Sequence, residues 1–279
     1  MAFEWQYIAS KSNPLVVRLG KLKDKKYRKE ESLFRFDGIK LFCEAVQNNV
    51  ELEYVIISEA DSEKNRQIVE GKLASVGILP KLLVLSADAF DKLTEEKSPE
   101  GIICVAKYLD KLHKVGKIEM LSEGSEAEKM RILMLESIRD AGNLGTIIRC
   151  ARAFAVDRLI ISSDCADIYN SKTIRAAMGA LFTQNIIATD SITEAVCDLR
   201  SRGCRVFAAA LDKDAKELGS FELKEGDAIL IGNEGHGLTR EAIEACNESI
   251  FIPMEESSES LNAAIAASVC MWELYKAKK

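Results

Sequence analysis

From residue 132 to the C-terminus the chain repeats one pattern, a short apolar run followed by a helix-length stretch with apolar residues at helical spacing. Strands are expected over 132–135, 158–161, 186–188, 205–209, 228–231 and 250–252, and helices over 144–154, 171–181, 192–202, 240–246 and 261–275. Strands this short, alternating with helices of roughly ten to fifteen residues, predict a largely parallel sheet covered on both faces, an α/β domain. In such sheets ligands bind in the crevice beyond the carboxyl ends of the strands. Polar residues gathered just after a strand therefore carry functional weight.

The first hundred residues read as a smaller α/β unit. A basic helical segment over 13–31 precedes a strand and turn ending at Phe36-Asp37-Gly38. There follow a helix from Gly38, a strand over 52–57, a helix over 61–76 with Asp61 as N-cap, a strand over 82–85, a short helix over 88–93 and a strand over 102–106. The charge-rich stretch that follows, with Gly116 and the polar run 122–126, reads as a linker. The expected organisation is a small α/β domain over 1–110, a linker over 111–129 and the parallel-sheet domain over 130–279.

Composition narrows the chemistry. With 279 residues and 47% hydrophobic content the chain can bury a large core. Its longest apolar runs fall far short of a bilayer span, and Met1-Ala2-Phe3-Glu4-Trp5 lacks the basic-then-apolar order of a signal peptide, so a cytoplasmic protein with no membrane partner is expected. The eight cysteines are scattered without zinc-ligand spacing and there are two histidines, so reduced, mostly buried thiols and no metal site are expected. The net charge of −6 hides a local excess: between residues 11 and 29 there are eight Lys/Arg against Asp24 alone. Lys11, Arg18, Lys21, Lys25, Lys26 and Arg28 of that run are candidates for phosphate contact; the plainer reading is a solvated charged helix.

Three clusters follow strand ends. In the first, 139–149, Asn143 and Thr146 lie near a helix start, where capping is their plain role, and Arg149 interrupts an apolar helical stretch. The second is the turn Gly232-Asn233-Glu234-Gly235-His236-Gly237. Its spacing is G-x-x-G-x-G, not the G-x-G-x-x-G of dinucleotide sites, and its glycines let backbone approach a ligand closely. Glu234 is a candidate polar anchor, and His236 reads as structural or solvent-facing. The third joins Ile252-Pro253-Met254 to Ser260-Leu261-Asn262, with Ser260 as the expected N-cap of the last helix.

In order and spacing, Asn143-x-Gly145-x-x-x-Arg149, the Gly232–Leu238 turn and Ile252-Pro253-Met254 with Ser260-Leu261-Asn262 together resemble the SpoU (TrmH) family of RNA methyltransferases, within the SPOUT superfamily. The resemblance covers 132–275. More weakly, Ser12-Asn13-Pro14, the basic run and Phe36-Asp37-Gly38 resemble the ribosomal-protein-like domain that precedes many such enzymes. The resemblance implies a deep trefoil knot in the C-terminal segment, an exception to the usual avoidance of knots. It implies S-adenosylmethionine bound there, held largely by backbone around Gly232, Ile252 and Leu261, with Asn233, Gly235 and Met254 beside them. It implies a homodimer, and methyl transfer to a ribose 2′-hydroxyl of ribosomal or transfer RNA, with Arg149, Asn143, Glu234, Ser260 and Asn262 as the catalytic set. Methylation of a base nitrogen, a non-catalytic RNA-binding assembly factor and, more remotely, a dehydrogenase are the alternatives. The chain departs from the family pattern at Ala141, where proline is usual, at Ala177, where serine is common, and at Ala264, often polar.

Overall fold

The computed structural model describes residues 3–74, 77, 79–109, 113–115, 129–255 and 260–277. The chain divides into two compact units, one of Met1–Leu109 with Tyr169–Phe182, the other of Asp110–Ile168 with Thr183–Lys279.

The first unit runs β1 (Trp5–Ile8), α1 (Pro14–Gly20), α2 (Lys25–Glu31), β2 (Leu33–Asp37), α3 (Ile39–Gln47), β3 (Leu52–Ser58), α4 (Ser62–Leu73), β4 (Lys81–Leu85), α5 (Ala87–Asp91) and β5 (Ile102–Lys107). Its sheet has the order β1-β4-β3-β5-β2, with β5 antiparallel to both neighbours and the other pairs parallel. The single basic helix expected over 13–31 is two helices joined by a 3₁₀ turn at Lys21–Lys23. Strand β1 had no counterpart in the sequence pattern; it is a four-residue edge strand paired to β4 alone. Residues from later in the chain complete this unit: Tyr169 packs on Phe34 (ring centroids 4.6 Å apart), Phe182 on Phe36 (5.3 Å), and Arg175 pairs with Glu96 at 3.0 Å. The helix expected over 171–181 is broken, because Met178 takes a left-handed φ of 53°. Ala177 is fully buried there.

The second unit runs β6 (His113–Val115), β7 (Ile132–Leu135), α6 (Ala141–Ala153) and β8 (Arg158–Ser162); past α7 (Ser171–Ala177) and α8 (Ala180–Thr183) it continues β9 (Ile186–Thr189), α9 (Ile192–Ser201), β10 (Val206–Ala209), β11 (Lys216–Glu217), β12 (Ala228–Ile231), α10 (Arg240–Ala245), β13 (Glu248–Phe251) and α11 (Ala263–Lys276). The expected linker lies largely outside the described residues; β6, within it, pairs with β9 at the sheet edge. The eight strands lie in the order β11-β13-β10-β12-β7-β8-β9-β6, every neighbouring pair parallel. The expected parallel α/β sheet is therefore present.

Strand polarity and register set which strand ends lie together. Ile231 is level with Leu135 on one side and with Ala209 on the other, and Ala209 is level with Ile250. The segments leaving β7, β10, β12 and β13 thus emerge side by side. One face of the sheet packs Met134, Val206, Ala208 and Leu230 against Val196 and Leu199 of α9 and Ala242 of α10. On the other, α11 packs on α6 and β12, burying Ala264, Ala267, Cys270, Met271 and Leu274. Burying Met271 and Leu274 contributes roughly 1.5–3 kcal/mol each, and the smaller alanines less, so this packing anchors the last helix.

Candidate active site

The last residue of β7 is followed by Glu136, whose N–H still bonds the Ile231 carbonyl (2.9 Å). Its buried carboxylate accepts from the Thr239 N–H and hydroxyl, both at 2.8 Å, which ties the end of β7 to the start of α10. Ser137 then turns the chain with φ 57°. Its N–H donates to Ser162 Oγ (2.8 Å) and its hydroxyl to Asp164 (2.5 Å). Burial alone would raise the Asp164 carboxyl, but hydrogen bonds from Ser137, Ser162 and Arg139 outweigh it and hold the group below its ordinary range. Asp140 caps α6 by accepting from the Asn143 N–H at 2.9 Å. Ala141 is thus the first helical residue, a position where proline's missing N–H costs nothing, so Asp-Ala and Asp-Pro serve the same start.

The glycine turn is braced from within. Asn233 and Gly237 exchange backbone bonds at 3.1 and 3.0 Å, Asn233 Oδ1 accepts from the N–H groups of Gly235 (2.8 Å) and His236 (3.2 Å), and Asn233 Nδ2 donates to the Ser137 carbonyl (2.7 Å). A Cβ on Gly232 would lie 2.4 Å from the Gly237 carbonyl carbon and 2.6 Å from Leu238 N, so only glycine fits. Glu234 projects from the turn's outer side.

That projection joins the three clusters. The last helix begins at Ala263, and its cap is Asn262, not Ser260 as the sequence suggested: Asn262 Oδ1 accepts from Ala264 N (2.9 Å) and Ile265 N (3.3 Å). With Oδ1 committed to the helix, Nδ2 points away and donates to Asn143 Oδ1 at 3.0 Å. Asn143 must then present its own Nδ2 onward, and it donates to Glu234 Oε1 at 2.5 Å. The helix cap fixes the polarity of the whole chain, and a carboxylate suits its far end. Asn262→Ala should cost about 1 kcal/mol of stability, the usual worth of such a cap. Asn262→Ser should keep the cap and thermal stability yet lose activity, since serine is too short to reach Asn143; a serine variant as active as the native chain would show the bond to be idle.

Arg149 is elsewhere. It lies six residues beyond Asn143, about 240° around the helix. It is exposed and makes no hydrogen bond or ion pair among the described residues. Ser260 is likewise exposed and without a hydrogen bond among them. Sequence reasoning passed over Glu136, a lone acid closing an apolar strand, and Leu211, which follows β10 and is 76% exposed.

The SpoU rRNA Methylase family model matches residues 130–272, and the MRM3-like substrate binding domain matches 13–104. This chain belongs to the SpoU rRNA methylase family. It is 28% identical over 267 residues to the 23S rRNA (guanosine(2553)-2′-O)-methyltransferase RlmP of Bacillus subtilis, covering 96% of this chain and 98% of that one. It is 30% identical over 196 residues to the 23S rRNA (guanosine-2′-O-)-methyltransferase RlmB of Nitrosomonas europaea, covering 70% and 74%. The crystal structure of an AdoMet-bound rRNA methyltransferase from Sinorhizobium meliloti shares the fold, with a TM-score of 0.80, 24% identity and 98% of each chain covered.

For a SpoU methylase the cofactor set has suitable chemistry. Gly232 brings bare backbone to the loop surface, and Met254 (36% exposed), Leu261 (37%) and half-buried Ile252 supply apolar area on the neighbouring segments at the same sheet edge. Asn233 serves mainly to brace the turn: its backbone is paired with Gly237, its Oδ1 accepts from Gly235 and His236, and Nδ2 donates to Ser137, which leaves one Nδ2 hydrogen without a partner among the described residues. Among the described residues no cluster of His, Cys, Asp and Glu could hold a metal ion, and no helix is long and apolar enough to cross a membrane. All eight cysteines are free and five are buried.

In the first unit the basic run is exposed at Lys21, Lys23, Lys25, Lys26 and Lys29, with Lys21 and Lys26 over the Tyr27 ring at 5.2 and 5.9 Å. Lys11 and Arg18 are exposed too, Arg18 paired with Glu31 at 2.6 Å. Arg28 corrects the expectation of phosphate contact. It is 3% exposed and donates to the carbonyls of Leu22 (2.8 Å) and Lys23 (2.6 Å), closing the 3₁₀ turn that precedes it.

Proposed function

We propose that this chain is an S-adenosylmethionine-dependent RNA methyltransferase that modifies a ribose 2′-hydroxyl of ribosomal RNA. The observation that carries the reading is the hydrogen-bond chain Asn262–Asn143–Glu234, which joins three separate sequence clusters beside a turn that only glycine can make. Bound S-adenosylmethionine supplies a methyl group already electrophilic on sulfonium. The protein's task is then alignment and charge stabilisation at the attacking oxygen. Gly232, Ile252, Met254 and Leu261 hold the cofactor, while Asn143, Glu234, Ser260 and Asn262 position the ribose. A guanidinium stays protonated, so Arg149 is a clamp on the adjacent phosphate that also stabilises the developing oxyanion, not the base.

The unit over 1–110, with its exposed lysines, grips the RNA electrostatically. The trefoil knot of the C-terminal segment is part of the reading: β12 lies between β7 and β10, β13 returns outside β10, and α11 comes back over β12 and α6. So is a cytoplasmic homodimer. Ile265 (52% exposed) and Trp272 (47%), seven residues apart on α11, leave an apolar stripe uncovered, and Arg149 lies off its own chain's polar network.

The test is methylation of ribosomal RNA with labelled cofactor, followed by digestion to nucleosides. A 2′-O-methylnucleoside is expected; a base-methylated product would move the chain to the base-nitrogen class. No binding of S-adenosylmethionine at micromolar concentration would end the enzyme reading. Sedimentation of the same preparation should give the mass of two chains, and a monomer would overturn the dimer.

A further inference from the structure

The turn that carries Glu234 also walls a cavity that the reading above leaves idle. We propose that this cavity is the subsite for the base of the methylated nucleotide, that the base is guanine, and that Arg139 reads it; the proposal rests on the RNA methyltransferase reading. The cavity, about 340 Å³, lies beyond the C-terminal ends of β7 and β12, between Glu136, Ser137, Arg139, Asn233, His236 and Thr239. Pockets for small ligands start at roughly 300 Å³, so this one suits a single base. Its place relative to the polar network is set by one turn: Asn233 and His236 wall the cavity, and Glu234 between them holds Asn143. A nucleotide with its ribose at the network has its base within reach of the cavity.

The wall's hydrogen-bond inventory selects the ligand. Asn233 gives its Oδ1 and one Nδ2 hydrogen to the turn and to Ser137, and the Ser137 hydroxyl donates to Asp164. Arg139 gives one N–H to Asp164 at 3.3 Å, its side chain is 72% exposed, and its other donors have no partner among the described residues. Opposite in sign is Glu136, buried, with each oxygen taking one bond from Thr239 and no cation paired to it among the described residues. A fixed anion on the wall repels phosphate. A neutral ligand must instead offer adjacent acceptors to the guanidinium and N–H donors to the carboxylate. Guanine does both, O6 and N7 matching the two prongs of arginine and N1–H with the exocyclic amine matching a carboxylate. Adenine sets a donor beside N7 and frustrates the fork. Ser137, held at φ 57° by Ser162 and Asp164, marks the same wall as a place where the fold sustains backbone strain.

The experiment uses the native chain and Arg139→Ala in single-turnover methylation of RNA carrying guanosine, 7-deazaguanosine or inosine at the mapped position. 7-Deazaguanosine removes N7 and inosine removes the exocyclic amine. With the native chain, 7-deazaguanosine should lower kcat/KM about tenfold, and Arg139→Ala on guanosine RNA should lower it as much or more. Combined, they should do no further harm than Arg139→Ala alone, because both act on one contact. Inosine should weaken both enzymes. Unchanged kcat/KM for Arg139→Ala with an unchanged melting temperature, losses that multiply, or a mapped nucleotide other than guanosine would each overturn the assignment. A native chain that methylates no RNA would instead remove the reading on which the assignment rests.

Discussion

Gly232→Ala should abolish S-adenosylmethionine binding and destabilise the second unit, while Gly235→Ala should do neither. The two glycines sit in the same turn, yet a Cβ at 232 meets backbone atoms of residues 237 and 238 at 2.4–2.6 Å, whereas at 235 its nearest neighbour is Asn233 Oδ1 at 3.4 Å, ordinary contact. Backbone cannot rotate away as a side chain can. The Asn233–Gly237 bridge must open or β12 must shift, at a cost of about 1–3 kcal/mol, the usual range for overpacking. For a unit of this size that corresponds to a fall of roughly 2–4 °C in melting temperature per kcal/mol. Since the turn's backbone is what the cofactor is proposed to touch, affinity should fall far more than stability. Calorimetric titration and thermal unfolding of both variants check this; micromolar cofactor binding by Gly232→Ala would show that the turn is not the cradle.

The same turn shows what a sequence discloses and what it withholds. Alternating short apolar runs and helices made the parallel sheet legible, because each strand is buried on both faces and its apolar residues are therefore contiguous. The strand order was not legible, and the cavity depends on it: Glu136 and Thr239, distant in sequence, meet only because β7 and β12 are neighbours. Asn143, Glu234 and Asn262 come from three clusters grouped by the family resemblance, and the hydrogen bonds that join them show only in the structure. Ser260 and Asn262 are equally good caps by residue type; tertiary contact with Asn143 decides between them. Arg28 looked like one more cation in a basic run. Its burial follows from the 3₁₀ turn at Lys21–Lys23, whose carbonyls need donors that no local pattern announces. Ala177 and Ala264, the two departures from serine and from a polar residue, are both buried in packing.

Arg149→Ala should lower kcat/KM by about 10²–10³-fold, the usual cost of deleting a preorganised donor from a developing oxyanion. The fold should not notice. Arg149 is exposed and without a partner among the described residues, so the melting temperature and the affinity for S-adenosylmethionine should stay at native values. Arg149→Lys should recover little, because an ammonium cannot reproduce a two-pronged hold on phosphate. Native activity in Arg149→Ala would remove the residue from the chemistry altogether. The position of Arg149, around the helix from Asn143, adds a sharper test. If each site takes its arginine from the partner chain, an Arg149→Ala chain co-expressed with a Glu234→Ala chain gives mixed dimers holding one complete site and one doubly broken site. With random pairing half the dimers are mixed, so activity should return to about a quarter of native from two inactive parents. If the arginine serves its own chain, every site lacks one residue or the other, and mixing restores nothing.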